Sequence, residues 1–332
     1  EGTPEEYSVE FRTFTAWVPR YPNEPLRFIP AGPNSFDWNW TRKFFGKIAE
    51  KSPGLFNRIW GWGVHYYCGA IGGGDSLKFT NDEHHQLMAA ADRMENLILG
   101  HWGLMGEYDT QRRVKIVVDE WGAWHSDSTA VAPHHLFGSV QTMRDALVAS
   151  LSLDTFHRHS DKVVMANVAQ LVNCIQTLFL AHEDKFCVTP TYHVFKMYKD
   201  HHNGETVRAE FNAPQVTFTP VVRPPGPGGR PQAPPPTSVK RLAGSVTRKG
   251  RDLTVTFCNT SATEELPVVL NVAGMNVASV RGEVLSASKV QDGNTFSQPD
   301  AVKPRAINAK ATGSRVELTA PAGSVIKLSI TV

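Results

Sequence analysis

The 332 residues carry 34 Lys plus Arg against 32 Asp plus Glu, a formal net charge of +2, so no strongly basic field argues for a nucleic-acid partner. No apolar run approaches the roughly 20 residues that a membrane-spanning helix requires, and nothing supports a membrane partner. The length suggests two domains, and the four cysteines (Cys68, Cys174, Cys187 and Cys258), too sparse for a disulfide framework and without metal-ligand spacing, are expected as core residues or free thiols.

In chain order, Thr3 reads as the cap of a first helix, with Pro4 at its first position and Glu5 and Glu6 suited to the positive end of its dipole. Neither an initiator Met nor a signal-like apolar segment precedes it, which leaves the compartment open and suggests that more chain came before. Tyr7, Phe11, Phe14, Trp17 and Val18 form the expected inward run, ending near Pro19. Leu26 to Gly32 reads as a short strand and turn, and a second helix is expected from about Thr41 to Lys51 with Phe44, Phe45 and Ile48 inward. A strand from Gly61 to Tyr67 ends in polar rings and leads to the glycine loop at 72–74. A helix is then expected from Asn81 to about Gly100.

The next stretch, Arg113-Val-Lys-Ile-Val-Val-Asp-Glu-Trp-Gly122, is chemically conspicuous. Its apolar run is too short for an ordinary helix and suits a parallel strand covered on both faces. It runs directly into Asp119 and Glu120, whose charges belong where the strand leaves its layer, the end at which α/β sheets and barrels do their chemistry. Spacing alone leaves a second reading open, in which either carboxylate caps the following loop or pairs with an arginine. A helix between about Gly138 and Leu153, a strand from Val163 to Val172 and a helix from Thr189 to His201 complete this half. The alternation predicts an α/β layer with parallel strands over 1–202.

From about Gln215 the pattern changes to that of exposed sheet, as in Leu253-Thr-Val-Thr-Phe257 and Ser324-Val-Ile-Lys-Leu-Ser-Ile330, predicting a jelly-roll-like β-sandwich over 203–332. Hairpin turns are expected at Lys249-Gly-Arg-Asp252 and Ala320-Pro-Ala-Gly323. The Pro- and Gly-rich run at about 220–236 reads as a solvated surface excursion. Four strands cannot close a barrel of eight, so either the sheet is small and open or another segment supplies the rest.

Thr3-Pro-Glu-Glu-Tyr7, Ala31-Gly-Pro-Asn34, Val64-His-Tyr-Tyr67, Asp119-Glu-Trp-Gly122, Ala169-Gln-Leu-Val-Asn173 and Pro299-Asp-Ala-Val-Lys-Pro304 occur in the order and at spacings similar to those of glycoside hydrolase family 51. The sequence resembles that family over nearly its whole length. The resemblance implies an α-L-arabinofuranosidase, or alternatively an endo-β-glucanase of the same family. The fold it implies is α/β plus all-β: the second half of a (β/α)8 barrel followed by a β-sandwich. Glu120 matches the family's nucleophile, His65 and Tyr67 match sugar-site residues, Gln170 matches a polar contact, and Trp124 resembles an aromatic flank of the sugar pocket. By strand alternation Asp119 points to the other side and takes a supporting role.

The departure is the acid/base, which the family carries in a Gly-Asn-Glu motif that this sequence lacks. Glu1 lies only two residues before Thr3 and is rejected for that role. A companion N-terminal fragment or chain that completes the barrel is therefore the expected partner, together with a carbohydrate substrate and further copies of the chain. A truncated noncatalytic carbohydrate-binding relative is the alternative. The mechanism calls for neither cofactor nor metal, and the histidine pairs at 84–85, 134–135 and 201–202 read as solvated pairs. Asn39-Trp-Thr41 and Asn259-Thr-Ser261 fit the glycosylation pattern.

Overall fold

The computed structural model describes residues 2–19, 21, 23, 26–69, 74–126, 137–221 and 236–332. Its first half comprises α1 (Pro4–Trp17), α2 (Trp38–Lys51), a 3-10 turn at Pro53–Asn57, β1 (Gly61–Cys68), α3 (Asn81–Asp92), α4 (Met94–Tyr108), β2 (Lys115–Ala123), α5 (Met143–Arg158), β3 (Val163–Val168), the hairpin β4 (Phe179–His182) and β5 (Lys185–Val188), and α6 (Pro190–Tyr198). Strands then dominate: β6 (Glu205–Val207), β7 (Gln215–Thr217), β8 (Ser238–Lys240), β9 (Leu242–Lys249), β10 (Asp252–Asn259), β11 (Leu266–Asn271), β12 (Ser279–Leu285), β13 (Arg305–Ile307), β14 (Lys310–Thr312), β15 (Arg315–Ala320) and β16 (Ser324–Thr331). Two compact units emerge, each assembled from separate stretches: Glu1–Tyr67, Arg93–Trp121 and His159–Asn167 form the first, and the remainder forms the second.

In the first unit, α1 starts as its sequence dictates. Thr3 Oγ1 accepts from the Glu6 amide at 3.1 Å, and Glu6 returns a carboxylate oxygen to the Thr3 amide at 2.6 Å, a reciprocal capping box. Its buried face is Pro4, Ser8, Phe11 and Thr15, so the expected inward run is corrected: Phe14 is 66% and Trp17 84% exposed. Small hydroxyl residues take the packed face because Ser8 and Thr15 donate to the carbonyls of Glu5 and Phe11 one turn back, which removes the cost of burying them. Asp37 caps α2 by accepting from the Trp40 amide, which starts that helix three residues before the expected Thr41. Tyr7 and Phe11 pack with Phe44, and Phe44 and Phe45 pack on Trp62 with ring centroids 4.6 and 5.2 Å apart, forming the aromatic core.

The sheet behind that core runs β1-β2-β3. Lys115 donates to the carbonyl of Trp60 at the start of β1 and β2, while Trp124 donates to that of Cys68 at their ends, so the two strands are parallel as expected. The segment expected as a strand at 26–32 instead makes isolated parallel bridges, Phe28 to Ile59 and Asn34 to His65. It crosses β1 so closely that a Cβ on Gly32 would overlap the Gly63 carbonyl oxygen, a contact only glycine permits. The single helix expected from Asn81 is two, interrupted at Arg93 and running on to Tyr108. The strand expected from Val163 to Val172 stops at Val168 and lies at the sheet's edge, with Val164 38% exposed.

The second unit contains a six-stranded antiparallel sheet, β13-β12-β16-β10-β9-β6, and a three-stranded one, β11-β15-β14. Val246, Val255, Phe257, Ile326 and Leu328 of the larger share one apolar cluster with Val268, Val316 and Leu318 of the smaller. The turn at Lys249 to Asp252 joins β9 and β10 as the expected hairpin. The second expected hairpin is not one, because Ala320 to Gly323 carries the chain from β15 in the smaller sheet to β16 in the larger. A Pro-containing turn signal reads the same whether the chain reverses within a sheet or changes sheets.

Helix α5 is buried on all sides, including Arg144, Asp145 and Asp154. Asp154 accepts from Ser245 and Thr256 at 2.6 Å and from Tyr198 at 2.7 Å, yet burial pushes its carboxyl up to about 6. The histidines at 84–85 and 201 are not solvated. His84 lies 2.9 Å from the Thr260 carbonyl oxygen, His85 accepts from the Ala262 amide, and His201 bridges the hydroxyls of Thr247 and Thr256. Each saturates buried backbone or hydroxyl groups that an apolar side chain would leave unpaired. Asn259 is likewise fully buried and donates to the carbonyls of Glu264 and Pro321, so its glycosylation pattern is a structural asparagine. None of the four cysteines is in a disulfide. The pair at 134–135, and most of the Pro- and Gly-rich run, lie outside the described residues.

Candidate active site

β1 and β2 bring three of the five expected site residues together in the first unit. Residues 61, 63, 65 and 67 share one face of β1 because strand side chains alternate, and Trp62, Val64 and Tyr66 turn the other way into the core. Tyr67 Oη donates to Glu120 Oε2 at 2.7 Å, a short hydrogen bond that restricts the rotation of the carboxylate. Glu120 is exposed within β2, although Ile116, Val117 and Val118 before it and Trp121 to Ala123 after it are buried, so the strand runs on past the acids expected to end it. The residue after it, Trp121, is fully buried and is a core aromatic.

His65 lies beside Asp119, with Nδ1 3.7 Å from Oδ1. Asp119 also faces Gly63, where a Cβ would sit 2.7 Å from its Oδ2. Both carboxylates therefore meet the row Gly63, His65 and Tyr67, Asp119 at the level of His65 and Glu120 at that of Tyr67. Alternation along β2 separates the two acids, but the glycine gap admits Asp119 and the length of the tyrosine reaches Glu120. Burial pushes the Asp119 carboxyl up, against the pull of His65 and with the repulsion of Glu120.

Trp124 and Gln170 belong to the second unit. Trp124 is half-buried and packs edge-on against Phe137, ring centroids 4.7 Å apart. Gln170 is exposed just after a cis peptide bond to Ala169, and its amide donates to the Cys174 carbonyl at 3.0 Å.

Three residues that the motifs did not single out hold the backbone just after β2. Gln176 is fully buried, accepts from the Ala123 amide at 2.8 Å, and donates to Asp145 O and Thr191 Oγ1 at 2.9 Å each. Its Cβ fills the space beside Gly122, which adopts φ +155 and could carry no side chain there. His125 Nε2 meets Asp145 Oδ1 at 2.6 Å, and Asp145 also accepts from the amide and hydroxyl of Thr142. Those contacts, His125 foremost, hold the Asp145 carboxyl below its usual range despite complete burial. The available signal was a charged residue inside a helix otherwise fit for burial on every side.

The Alpha-L-arabinofuranosidase C-terminal domain family matches residues 119–324, which is more than half of the chain and includes Glu120. The chain belongs to the family 51 α-L-arabinofuranosidases. It is similar to an intracellular exo-alpha-L-arabinofuranosidase of Bacteroides ovatus, 28% identical over 98% of this chain and 60% of that protein. The crystal structure of a family 51 arabinofuranosidase from Xanthomonas axonopodis pv. citri superposes with a TM-score of 0.87 at 28% identity, over 99% of this chain and 63% of the other. An arabinofuranosidase from Thermotoga maritima, solved with arabinose, shares the fold at a TM-score of 0.77 and 19% identity, over 100% of this chain and 63% of that one. This family member thus spans less than two thirds of the length of the relatives it matches. Among its described residues, no group of three or more His, Cys, Asp or Glu could hold a metal ion.

Proposed function

We propose that this chain supplies the nucleophile half of a retaining α-L-arabinofuranosidase that releases terminal arabinofuranosyl residues from arabinose-containing saccharides. The observation that carries the reading is the 2.7 Å hydrogen bond from Tyr67 to a solvent-facing Glu120 in the second half of a parallel strand. A retaining glycosidase needs one ionised carboxylate to attack the anomeric carbon and a carboxylic acid about 5 to 5.5 Å away to protonate the leaving oxygen. Glu120 is the first, aimed by Tyr67. It forms the glycosyl ester as the aglycone departs with the proton, and water then releases the sugar. His65, beside Tyr67 on the same strand face, takes a hydroxyl contact.

The acid/base belongs to an N-terminal segment or companion chain that joins the sheet of the first unit. In this reading residues 1–202 are the second half of a (β/α)8 barrel and 203–332 a β-sandwich. The exposed edge at β3 and the greater length of the relatives support it. Two measurements test it. The 332-residue chain alone is expected to leave an aryl α-L-arabinofuranoside intact, whereas the completed enzyme turns it over. In the completed enzyme, Glu120→Ala should lower kcat by at least about a thousandfold. Added azide should then restore cleavage and give the product of inverted configuration. Robust turnover by the Glu120→Ala enzyme without azide would overturn the assignment.

A further inference from the structure

Asp119 is an expensive residue at its position. One of its carboxylate oxygens, Oδ1, is fully buried and makes no hydrogen bond, while the side chain as a whole stays 35% exposed. An unpaired buried carboxylate oxygen is costly and needs a compensating positive or protonated neighbour. The neighbour on that side is His65, whose Nδ1 is 3.7 Å from that same oxygen. The other charge bearing on Asp119 is Glu120, which repels it. The room for the carboxylate is provided by Gly63, since any side chain there would collide with Oδ2. The backbone of His65 is fixed as well: its carbonyl accepts from the Ser35 amide at 2.9 Å, so the ring is carried on a held strand.

We propose that Asp119 is a positioning residue that acts through His65, keeping the imidazole proton on Nδ1 so that Nε2 is left to accept from a sugar hydroxyl. A 3.7 Å separation is longer than a hydrogen bond, but choosing between two tautomers requires only the field of the carboxylate. A proton on the near nitrogen is attracted to Oδ1, while the lone pair of the near nitrogen would be repelled by it. In a neutral ring the nitrogen turned to a carboxylate therefore carries the hydrogen, and the other becomes an acceptor. The sugar-binding half of this inference rests on the arabinofuranosidase reading. The tautomer half does not.

The tautomer is read directly in the 332-residue chain from the imidazole ¹⁵N shifts, at a pH where the ring is neutral, with the His65 signals assigned by their loss in His65→Gln. The expected result is a majority Nδ1–H form for His65 in the unaltered protein. Asp119→Asn should return it to the Nε2–H majority of an unconstrained imidazole. A majority Nε2–H form in the unaltered chain overturns the proposal without any variant having to fold, and so does a ratio unmoved by Asp119→Asn. In the completed enzyme, Asp119→Asn should raise KM about tenfold while kcat changes less than about threefold. A fall in kcat with KM unchanged would overturn the role through His65. Retained turnover in Glu120→Ala would instead remove the arabinofuranosidase reading and leave the tautomer result standing.

Discussion

In the second unit two antiparallel sheets face one apolar cluster, and the buried Asp154, His84, His201 and Asn259 each have at least one hydrogen-bond partner. The first unit is built differently, with an aromatic core against a three-stranded sheet whose β1 and β2 are parallel and which has β3 at its edge, and with Phe14 and Trp17 of α1 turned to solvent. Parallel sheets are normally covered and extended on both sides, whereas antiparallel pairs tolerate water on one face. Glu120, Tyr67, His65 and Asp119 all lie in the first unit. The difference teaches that these candidate site residues cluster in the unit with the aromatic core and the small sheet, not in the unit with the two antiparallel sheets.

Breaking the aromatic core is the strongest probe of that contrast. Phe44 is fully buried against Tyr7, Phe11, Phe45 and Trp62, so Phe44→Ala should cost about 3 to 5 kcal/mol of stability. Hydrogen exchange should show β1 and β2 losing protection while β9 and β10 keep theirs. Loss in both units together would erase the distinction.

Acid should act in the opposite order. Burial pushes His84 and His201 down to about 3 and His157 to about 4 in the second unit, and His101 to about 4 in the first. A depressed folded-state value means stability that is present above the unfolded value of about 6.5 and is lost as pH falls toward the folded one. Asp154, raised to about 6, works the other way between its unfolded value and about 6, but it is one group against four. Thermal melts should show a lower melting temperature at pH 4.5 than at pH 7, with exchange rising first in the second unit. An unchanged melting temperature would contradict the buried neutral histidines.

A smaller effect is expected at Gln176. Gln176→Ala leaves the Ala123 amide, Asp145 carbonyl and Thr191 hydroxyl without their partner, a loss of about 2 kcal/mol measurable by denaturant titration. A neutral result would show that water replaces the amide. Smallest of all, Phe14→Ser with Trp17→Ser should change the stability of the chain by less than about 0.5 kcal/mol, since both side chains are exposed. A larger loss would mean that this face is covered in solution, which would narrow the contrast between the units.

Much of this was legible in the residues themselves. The helix cap at Thr3, the buried run before Asp119 and the turn at Lys249 to Asp252 each depend on neighbours a few positions away, and each appears as read. The misreadings share one cause. Which face of α1 packs, whether Ala320 to Gly323 closes a hairpin, and whether His84 and His201 meet water all depend on partners distant in the chain. Hydrophobic periodicity does not contain Ser8 and Thr15 as core residues, because their suitability comes from carbonyls one turn back and from the helix they press against.

The site divides along the same line. The sequence by itself determined that Glu120 follows the buried run of a strand and that His65 and Tyr67 share a face of another, since two-residue alternation and apolar runs are local properties. Only the tertiary structure decided that Tyr67 reaches Glu120, that Gly63 opens the space into which Asp119 turns, and that Gln176 fills the gap beside Gly122. Those are contacts between strands and loops many residues apart, and their distances are set by how the layers pack.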